Sequence, residues 1–258
     1  MMDTPKLSLK GVTKRFGKKT VLNGLDLELA AGESYVVIGG SGSGKSVMLK
    51  CVLGIIDPDD GKILLDGEDI THLKGRDRQE VLKRFGMLFQ GSALFDSLPV
   101  WHNVAFGLIS AQGMKKRDAK PLAIETLSKV GLGADVGELL PSELSGGMQK
   151  RVALARAIAT SPEIIFFDEP TTGLDPIMAD VIDELIIERI RDLGATGLSI
   201  THDMASARRI ADRIGMLYEG RIIWEGPVGE IDSSGNAYVD QFINGKAEGP
   251  ISMDVKAR

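Results

Sequence analysis

The sequence has little that would place it outside the cell or within a membrane. Its 258 residues include one cysteine, Cys51, so no intrachain disulfide can form, and a buried packing role is expected for that thiol. No apolar run approaches the roughly 18 residues that span a bilayer. The opening Met1-Met2-Asp3-Thr4-Pro5-Lys6 carries no signal-peptide pattern, so a cytoplasmic location is expected. There is no excess of positive charge: a formal net charge of −5 argues against a broad nucleic-acid surface, and no nucleic-acid partner is expected. Internal repeats and low-complexity tracts are also missing. What is present is a 43% hydrophobic chain able to bury a large core as one domain or two lobes.

Two short runs carry most of the chemistry. The first, Gly39-Gly40-Ser41-Gly42-Ser43-Gly44-Lys45-Ser46 with Val47 following, fits G-x-x-x-x-G-K-[ST]. It lies after the apolar run Tyr35-Val36-Val37-Ile38 and before a helix-like segment from Lys45 to Leu53, and that strand-loop-helix setting separates a phosphate loop from a flexible glycine cluster. Glycines let successive N–H groups converge on one anion at the positive end of a helix. Lys45 would neutralise the β- and γ-phosphates, and Ser46 would offer its hydroxyl to a magnesium ion. The second run, Leu144-Ser145-Gly146-Gly147-Met148, is another glycine-containing turn at the start of a helix, hence a second anion site.

Ile164-Ile165-Phe166-Phe167-Asp168-Glu169 reads as a strand buried on both faces and ending in two carboxylates. Adjacent strand side chains point to opposite sides, which predicts different tasks for the two acids. Asp168 would hold magnesium, directly or through water. Glu169 would polarise the attacking water as general base. The alternative is a pair of solvated charges opening a turn before Pro170.

Elsewhere the pattern predicts an α/β fold. Alternating Leu25, Leu27 and Leu29 suggest an N-terminal antiparallel layer, Lys62 to Leu65 with Asp66-Gly67 a hairpin, and Met87-Leu88-Phe89 a core strand ending at Gln90. From about residue 91 to 160 the spacing is helical, with Leu122, Ile124, Leu127 and Val130 in one segment and Val152, Leu154, Ala155 and Ile158 in another. This predicts a helical lobe inserted in an α/β core that resumes at the acid-tipped strand and leads to Thr201-His202-Asp203. Residues 246–258 are rich in Gly, Pro and charge and read as a tail after a domain of residues 1–245.

With both runs on one chain, the sequence resembles the nucleotide-binding subunit of an ATP-binding cassette (ABC) transporter over nearly all of residues 7 to 245. The resemblance implies the P-loop NTPase fold of that family: a RecA-like core, an N-terminal antiparallel β layer and an inserted α-helical subdomain. It implies ATP and Mg2+ as cofactors, with Ser46, Gln90 and Asp168 around the metal. In the family the signature run reaches across a head-to-tail dimer to the γ-phosphate held by the other subunit, Ser145 and Gly147 being the matching contacts beside Gly146. The usual fifth signature residue is Gln, where this chain has Met148, followed by Gln149. Phe16 matches the residue that stacks on adenine, its alternative being core packing. Gln90 matches the glutamine that senses magnesium and water, Asp175 the acidic loop that crosses to the partner, and His202 the histidine at the γ-phosphate. His72 and His102 have no such setting.

Within the family the phosphate-loop run, Leu88 to Phe95, Pro141-Ser142-Glu143-Leu144 and Gln241-Phe242-Ile243-Asn244-Gly245 with Gly249-Pro250 look most like the maintenance-of-lipid-asymmetry (Mla) group. That group moves phospholipids between bacterial inner and outer membranes. The implied partners are a second copy of the chain, a multi-spanning permease received near Phe89 to Val104, a periplasmic lipid-binding protein and a small cytoplasmic regulatory subunit. The implied place is the cytoplasmic face of the inner membrane. Three alternatives remain open from sequence: an importer ATPase for a solute such as an amino acid, a soluble ABC ATPase of iron–sulfur assembly, and a small-molecule kinase.

Overall fold

The computed structural model describes residues 4–252. Strands β1 (Leu7–Phe16) and β2 (Lys19–Leu29) form an antiparallel hairpin that buries Leu7, Leu9, Leu25, Leu27 and Leu29 and exposes Asp26 and Glu28, as the period-two pattern requires. The chain continues through β3 (Ser34–Ile38), α1 (Lys45–Val52), β4 (Asp60–Leu65), β5 (Glu68–Asp69), α2 (Gly75–Lys83) and β6 (Phe85–Leu88). Four helices follow: α3 (Val100–Val104), α4 (Phe106–Ser110), α5 (Lys116–Lys129) and α6 (Gly146–Ile158). The remainder is β7 (Ile164–Asp168), α7 (Pro176–Leu193), β8 (Thr196–Thr201), α8 (Met204–Ile210), β9 (Arg213–Tyr218), β10 (Arg221–Pro227) and α9 (Ala237–Ile243).

Two sheets result. A four-stranded antiparallel sheet has the order β2-β1-β4-β5, and a six-stranded sheet has the order β10-β9-β3-β8-β7-β6. In the larger sheet β9, β3, β8, β7 and β6 are parallel and β10 pairs antiparallel at one edge. Strand alternation divides the interior into two cores on opposite faces of this sheet. Val36, Ile38, Ile165 and Phe167 pack with the helices α3, α5 and α6, whereas Tyr35, Val37, Ile164 and Phe166 pack with α1 and the antiparallel layer. Phe85 meets the fully buried Phe166 edge-on at 5.1 Å, and full burial of such a side chain contributes about 1.5–3 kcal/mol. Cys51 is fully buried on α1, and burial pushes its thiol up to about 11.

Three local expectations need correction. Leu122 is 40% exposed rather than on the helix's core face, because α5 buries Ala119, Ala123, Thr126 and Leu127, a stripe offset from it. The strand expected to reach Phe89 ends its pairing at Leu88, where the chain turns outward and leaves Phe89 exposed. Finally, the segment after Gly245 does not leave the surface at once. The buried Gln241 side chain donates to the carbonyls of Lys246 and Ile251 and accepts from Ile251 N, so residues 246–251 fold back on α9. Gly249 makes the close approach possible, since a Cβ there would lie 2.4 Å from the Gln241 side chain. The rest of the expected tail, residues 253–258, and residues 1–3 lie outside the described residues. No helix among the described residues is long and apolar enough to cross a membrane.

Candidate active site

The phosphate-loop run occupies the crossing from the fully buried β3 to the N-terminus of α1. Gly39 has φ +153, and a Cβ there would meet the Leu217 carbonyl oxygen at 2.4 Å, so only glycine fits. Gly44, at φ +111, caps α1 without a side-chain hydrogen bond and packs against Val21 of the β1–β2 hairpin. The first N–H groups of α1 therefore face the loop rather than a capping side chain. Lys45 is buried and its Nζ donates to the carbonyls of Gly39 at 2.6 Å and Gly40 at 3.1 Å. Burial lowers its pKa, and the charges of Glu169 and Asp168 oppose that. Ser41, Gly42 and Ser46 are exposed, Gly40, Ser43 and Val47 half-buried, and Ser43 Oγ has no hydrogen-bond partner among the described residues.

The two acids are placed by different conformations. Asp168 ends β7 in strand geometry. Burial raises its pKa, as does the neighbouring charge of Glu169, against Lys50, Lys45 and Lys150, and its Oδ1 is buried with no partner among the described residues. Glu169 has φ +51 and so lies off the strand, in the left-handed region that costs a non-glycine residue of order 1 kcal/mol or more. Simple alternation along a strand therefore does not separate the two carboxylates; the turn does. Glu169 N donates to Ile200 O at 2.9 Å, and its carboxylate accepts from Thr172 Oγ1 at 3.1 Å and Thr201 Oγ1 at 3.4 Å. His202 Nδ1 lies 2.9 Å from the same carboxylate, with the imidazole largely exposed and the carboxylate largely buried.

The second glycine run opens α6. Ser145 is its N-cap and accepts from Met148 N at 3.3 Å. Gly146 is exposed and Gly147 buried, where a Cβ would lie 2.9 Å from the Met178 side chain on α7. Met148 packs partly buried against the core, and Gln149 Nε2 donates to Pro141 O at 3.0 Å. Asp175 caps α7, accepting from Ile177 N at 3.1 Å and Met178 N at 3.0 Å. Phe16 is 49% exposed at the tip of the β1–β2 hairpin, with the Lys14 ammonium 5.6 Å from its ring centre, so it is not a core residue. Gln90 is exposed just after β6, and its backbone carbonyl accepts from Lys150 Nζ.

The phosphate loop, Asp168, Glu169 and His202 thus gather at the ends of β3, β7 and β8, while Ser145 to Gly147 and Asp175 stand at two neighbouring helix starts. Lys150 was not singled out from sequence, although its spacing from Gly147 and Leu154 marks the buried side of α6. Away from the phosphate loop, a groove of about 180 Å³ opens between α2 and α4, lined by Leu82, Phe85, Met87, Phe106, Ala111 and Arg156. Phe106 lies 4.6 Å from Phe95, both partly exposed.

Residues 22–172 match the family model described as ABC transporter. The chain is 40% identical over 247 residues to the probable ribonucleotide transport ATP-binding protein of Mycobacterium leprae, covering 96% of this chain and 71% of that one. It is 37% identical over 252 residues to the intermembrane phospholipid transport system ATP-binding protein of Haemophilus influenzae, covering 98% and 95%. Among solved structures, a dimeric ATP-binding cassette in a post-hydrolysis state with ADP and Pi superposes with a TM-score of 0.79 at 31% identity, covering 86% of this chain and 98% of that one.

Proposed function

Because this chain belongs to the ABC transporter family, we propose that it drives phospholipid transport, hydrolysing ATP as a head-to-tail pair docked on a membrane permease. It is an ATP-hydrolysing cassette with the P-loop ABC ATPase fold. The observation that carries the catalytic assignment is the convergence of Lys45, the partnerless Asp168 Oδ1 and the pinned Glu169 carboxylate at one end of the central sheet.

The roles assigned here join the family resemblance to this geometry. Phe16, exposed at the hairpin tip, stacks on adenine. The N–H groups of residues 40–46 and the Lys45 ammonium bind the phosphates. Asp168 Oδ1, the Ser46 hydroxyl and Gln90 form an all-oxygen donor set that fits magnesium, which takes one or two carboxylates and completes its shell with phosphate and water. Magnesium, when bound there, would withdraw charge from the terminal phosphates. Glu169, oriented by Thr172, Thr201 and His202, accepts the proton of the attacking water at its carboxylate. Ser145, Gly146 and Gly147 of one copy face the nucleotide of the other, and Asp175 lies where the two chains cross. Residues 91–160 are the helical lobe of the ATPase domain.

For the cargo, the likeness to the phospholipid system's subunit runs almost the full length of both chains, whereas the mycobacterial relative extends well beyond the matched part. The apolar groove beside Phe106 suits a short helix of the permease. A periplasmic lipid-binding protein, a small cytoplasmic regulator and the cytoplasmic face of the inner membrane complete the reading.

Two experiments test it. Glu169→Gln keeps the side chain's shape, so ATP affinity should stay within a few-fold while turnover falls by about 10²–10⁴ and an ATP-dependent dimer accumulates on size exclusion. Wild-type turnover in that variant refutes the assignment of Glu169. For the cargo, the complex purified with its permease should show ATP-dependent transfer of fluorescent phospholipid between vesicles; stimulation by a soluble solute-binding protein and an amino acid instead would replace the lipid reading.

A further inference from the structure

Lys150 lies on the buried side of α6 and is only 5% exposed. Its Nζ donates to two backbone carbonyls, that of Gln90 and, at 3.3 Å, that of Glu169. These belong to separate loops, one following β6 and the other following β7. Burying an ammonium is costly, and the usual remedy is an ion pair. Among the described residues Lys150 has no carboxylate within salt-bridge distance; its direct partners are neutral carbonyls, with the charges of Asp168 and Glu169 nearby. Removing a buried charge is often neutral for stability, so the arrangement asks for a geometric explanation.

One is at hand. Glu169 holds a strained φ of +51, and strain of this kind persists only where surrounding contacts over-determine the backbone. Lys150 supplies such a contact from outside the loop's own turn. It is also five residues from Ser145, about 7.5 Å along the helix axis. A rigid helix thus joins the turn that faces the partner's nucleotide to the backbone that aims this chain's own general base.

We propose that Lys150 is a positioning residue for ATP hydrolysis: its ammonium locks the Gln90 and Glu169 loops to α6, so that the Glu169 carboxylate is aimed only while the signature helix is seated. The proposal rests on the ATPase reading given above. It extends that reading by making each chain's signature turn a mechanical input to its own catalytic loop as well as to its partner's nucleotide.

The test uses the full chain, measuring kcat, the ATP dissociation constant at equilibrium and amide hydrogen exchange. Lys150→Met removes the donors and keeps the length. It should lower kcat by about 10- to 100-fold, the scale of a misplacement of about 1 Å, while ATP affinity stays within about threefold. Lys150→Gln keeps two N–H donors and should lose less, about 3- to 10-fold in kcat. In both variants amide exchange should speed up in residues 90–93 and at Glu169, Thr171 and Thr172. Wild-type kcat in Lys150→Gln and Lys150→Met overturns the proposal, as does a loss of ATP affinity equal to the loss of kcat. If Lys150→Met does not fold, Lys150→Gln decides alone: wild-type kcat or unchanged exchange overturns it. Glu169→Gln is the control that separates the two ideas. Turnover that survives in Glu169→Gln removes the underlying reading and this proposal with it, whereas turnover lost there but untouched in the Lys150 variants removes this proposal only.

Discussion

Asp183 offers a quantitative test of the packing behind the catalytic loops. It lies on α7 at 1% exposure, and Ser206 Oγ donates to its Oδ2 at 2.7 Å. Ser206 in turn is 3.0 Å from Thr171 Oγ1 in the loop after Glu169, so this chain of polar groups ties α7, α8 and the catalytic turn together. Burial raises the Asp183 pKa from 3.8 to about 6, the Ser206 hydrogen bond opposing and the charge of Asp203 adding to the rise. A carboxyl with a raised pKa binds its proton more tightly in the folded state. Its contribution to stability is therefore full below about pH 4 and is lost as pH rises to about 6, a difference of about 3 kcal/mol. Asp183→Asn keeps the shape, still accepts from Ser206 and cannot ionise, but gives up the 3.9 Å ion pair of Oδ2 with Arg209, which trims the gain. Relative to wild type it should be more stable at pH 8 by about 1–3 kcal/mol, the upper end reduced by the partnerless amide N–H at the Oδ1 position, and near equal at pH 4.5. That corresponds to a rise of roughly 2–10 °C in Tm at pH 8 for a chain of this size. Urea unfolding of the nucleotide-free chain at the two pH values measures it. A difference between variant and wild type that does not change with pH, or a variant less stable at pH 8, refutes the argument.

Three other outcomes are expected. Lys45→Ala should abolish measurable ATP binding in a nucleotide titration if the buried ammonium is the phosphate counter-charge, as proposed; unchanged affinity would remove the phosphate-loop assignment. Gly39→Ala should destabilise the fold and lower ATP affinity together, since its Cβ would stand 2.4 Å from a backbone oxygen that has little freedom to move; a chain with wild-type Tm would show that the loop relaxes. Phe16→Ala should weaken ATP binding by about 1–3 kcal/mol with Tm unchanged, because the ring is exposed; a fall in Tm with intact binding would assign it to packing instead.

How much of this was legible in the sequence follows from the range of each interaction. The phosphate loop and the acid-tipped strand are local patterns, and the residues that define them are adjacent in the chain. Alternation in the N-terminal leucines likewise reports the buried face of a hairpin directly. The left-handed turn at Glu169 is different: it is held by Ile200, Thr201 and His202, more than thirty residues away, and no pattern around Asp168-Glu169 announces it. Lys150 and Asp183 were invisible for a related reason. A charged residue within a helical apolar stripe reads as a break in the stripe until its partners on other elements are known. Leu122 shows the opposite case, an apolar residue at helical spacing that stays exposed while its helix turns Ala119, Ala123 and Leu127 inward. The segment after Gly245 reads as a tail because its composition is polar, yet the buried Gln241 side chain, the Lys246–Asp240 pair and the packing of Ile251 hold residues 246–251 against the fold.

The burial of Cys51 has a practical side. With its thiol pushed up to about 11, Cys51 carries almost no reactive thiolate at pH 7.5, and no accessible surface admits a reagent. The native chain is therefore a silent background for thiol chemistry. A cysteine introduced at an exposed position such as Ser142 or Lys18 can carry a spin label or fluorophore without removing the natural one, and pairs of labelled chains can test the proposed dimer and its opening and closing as a distance.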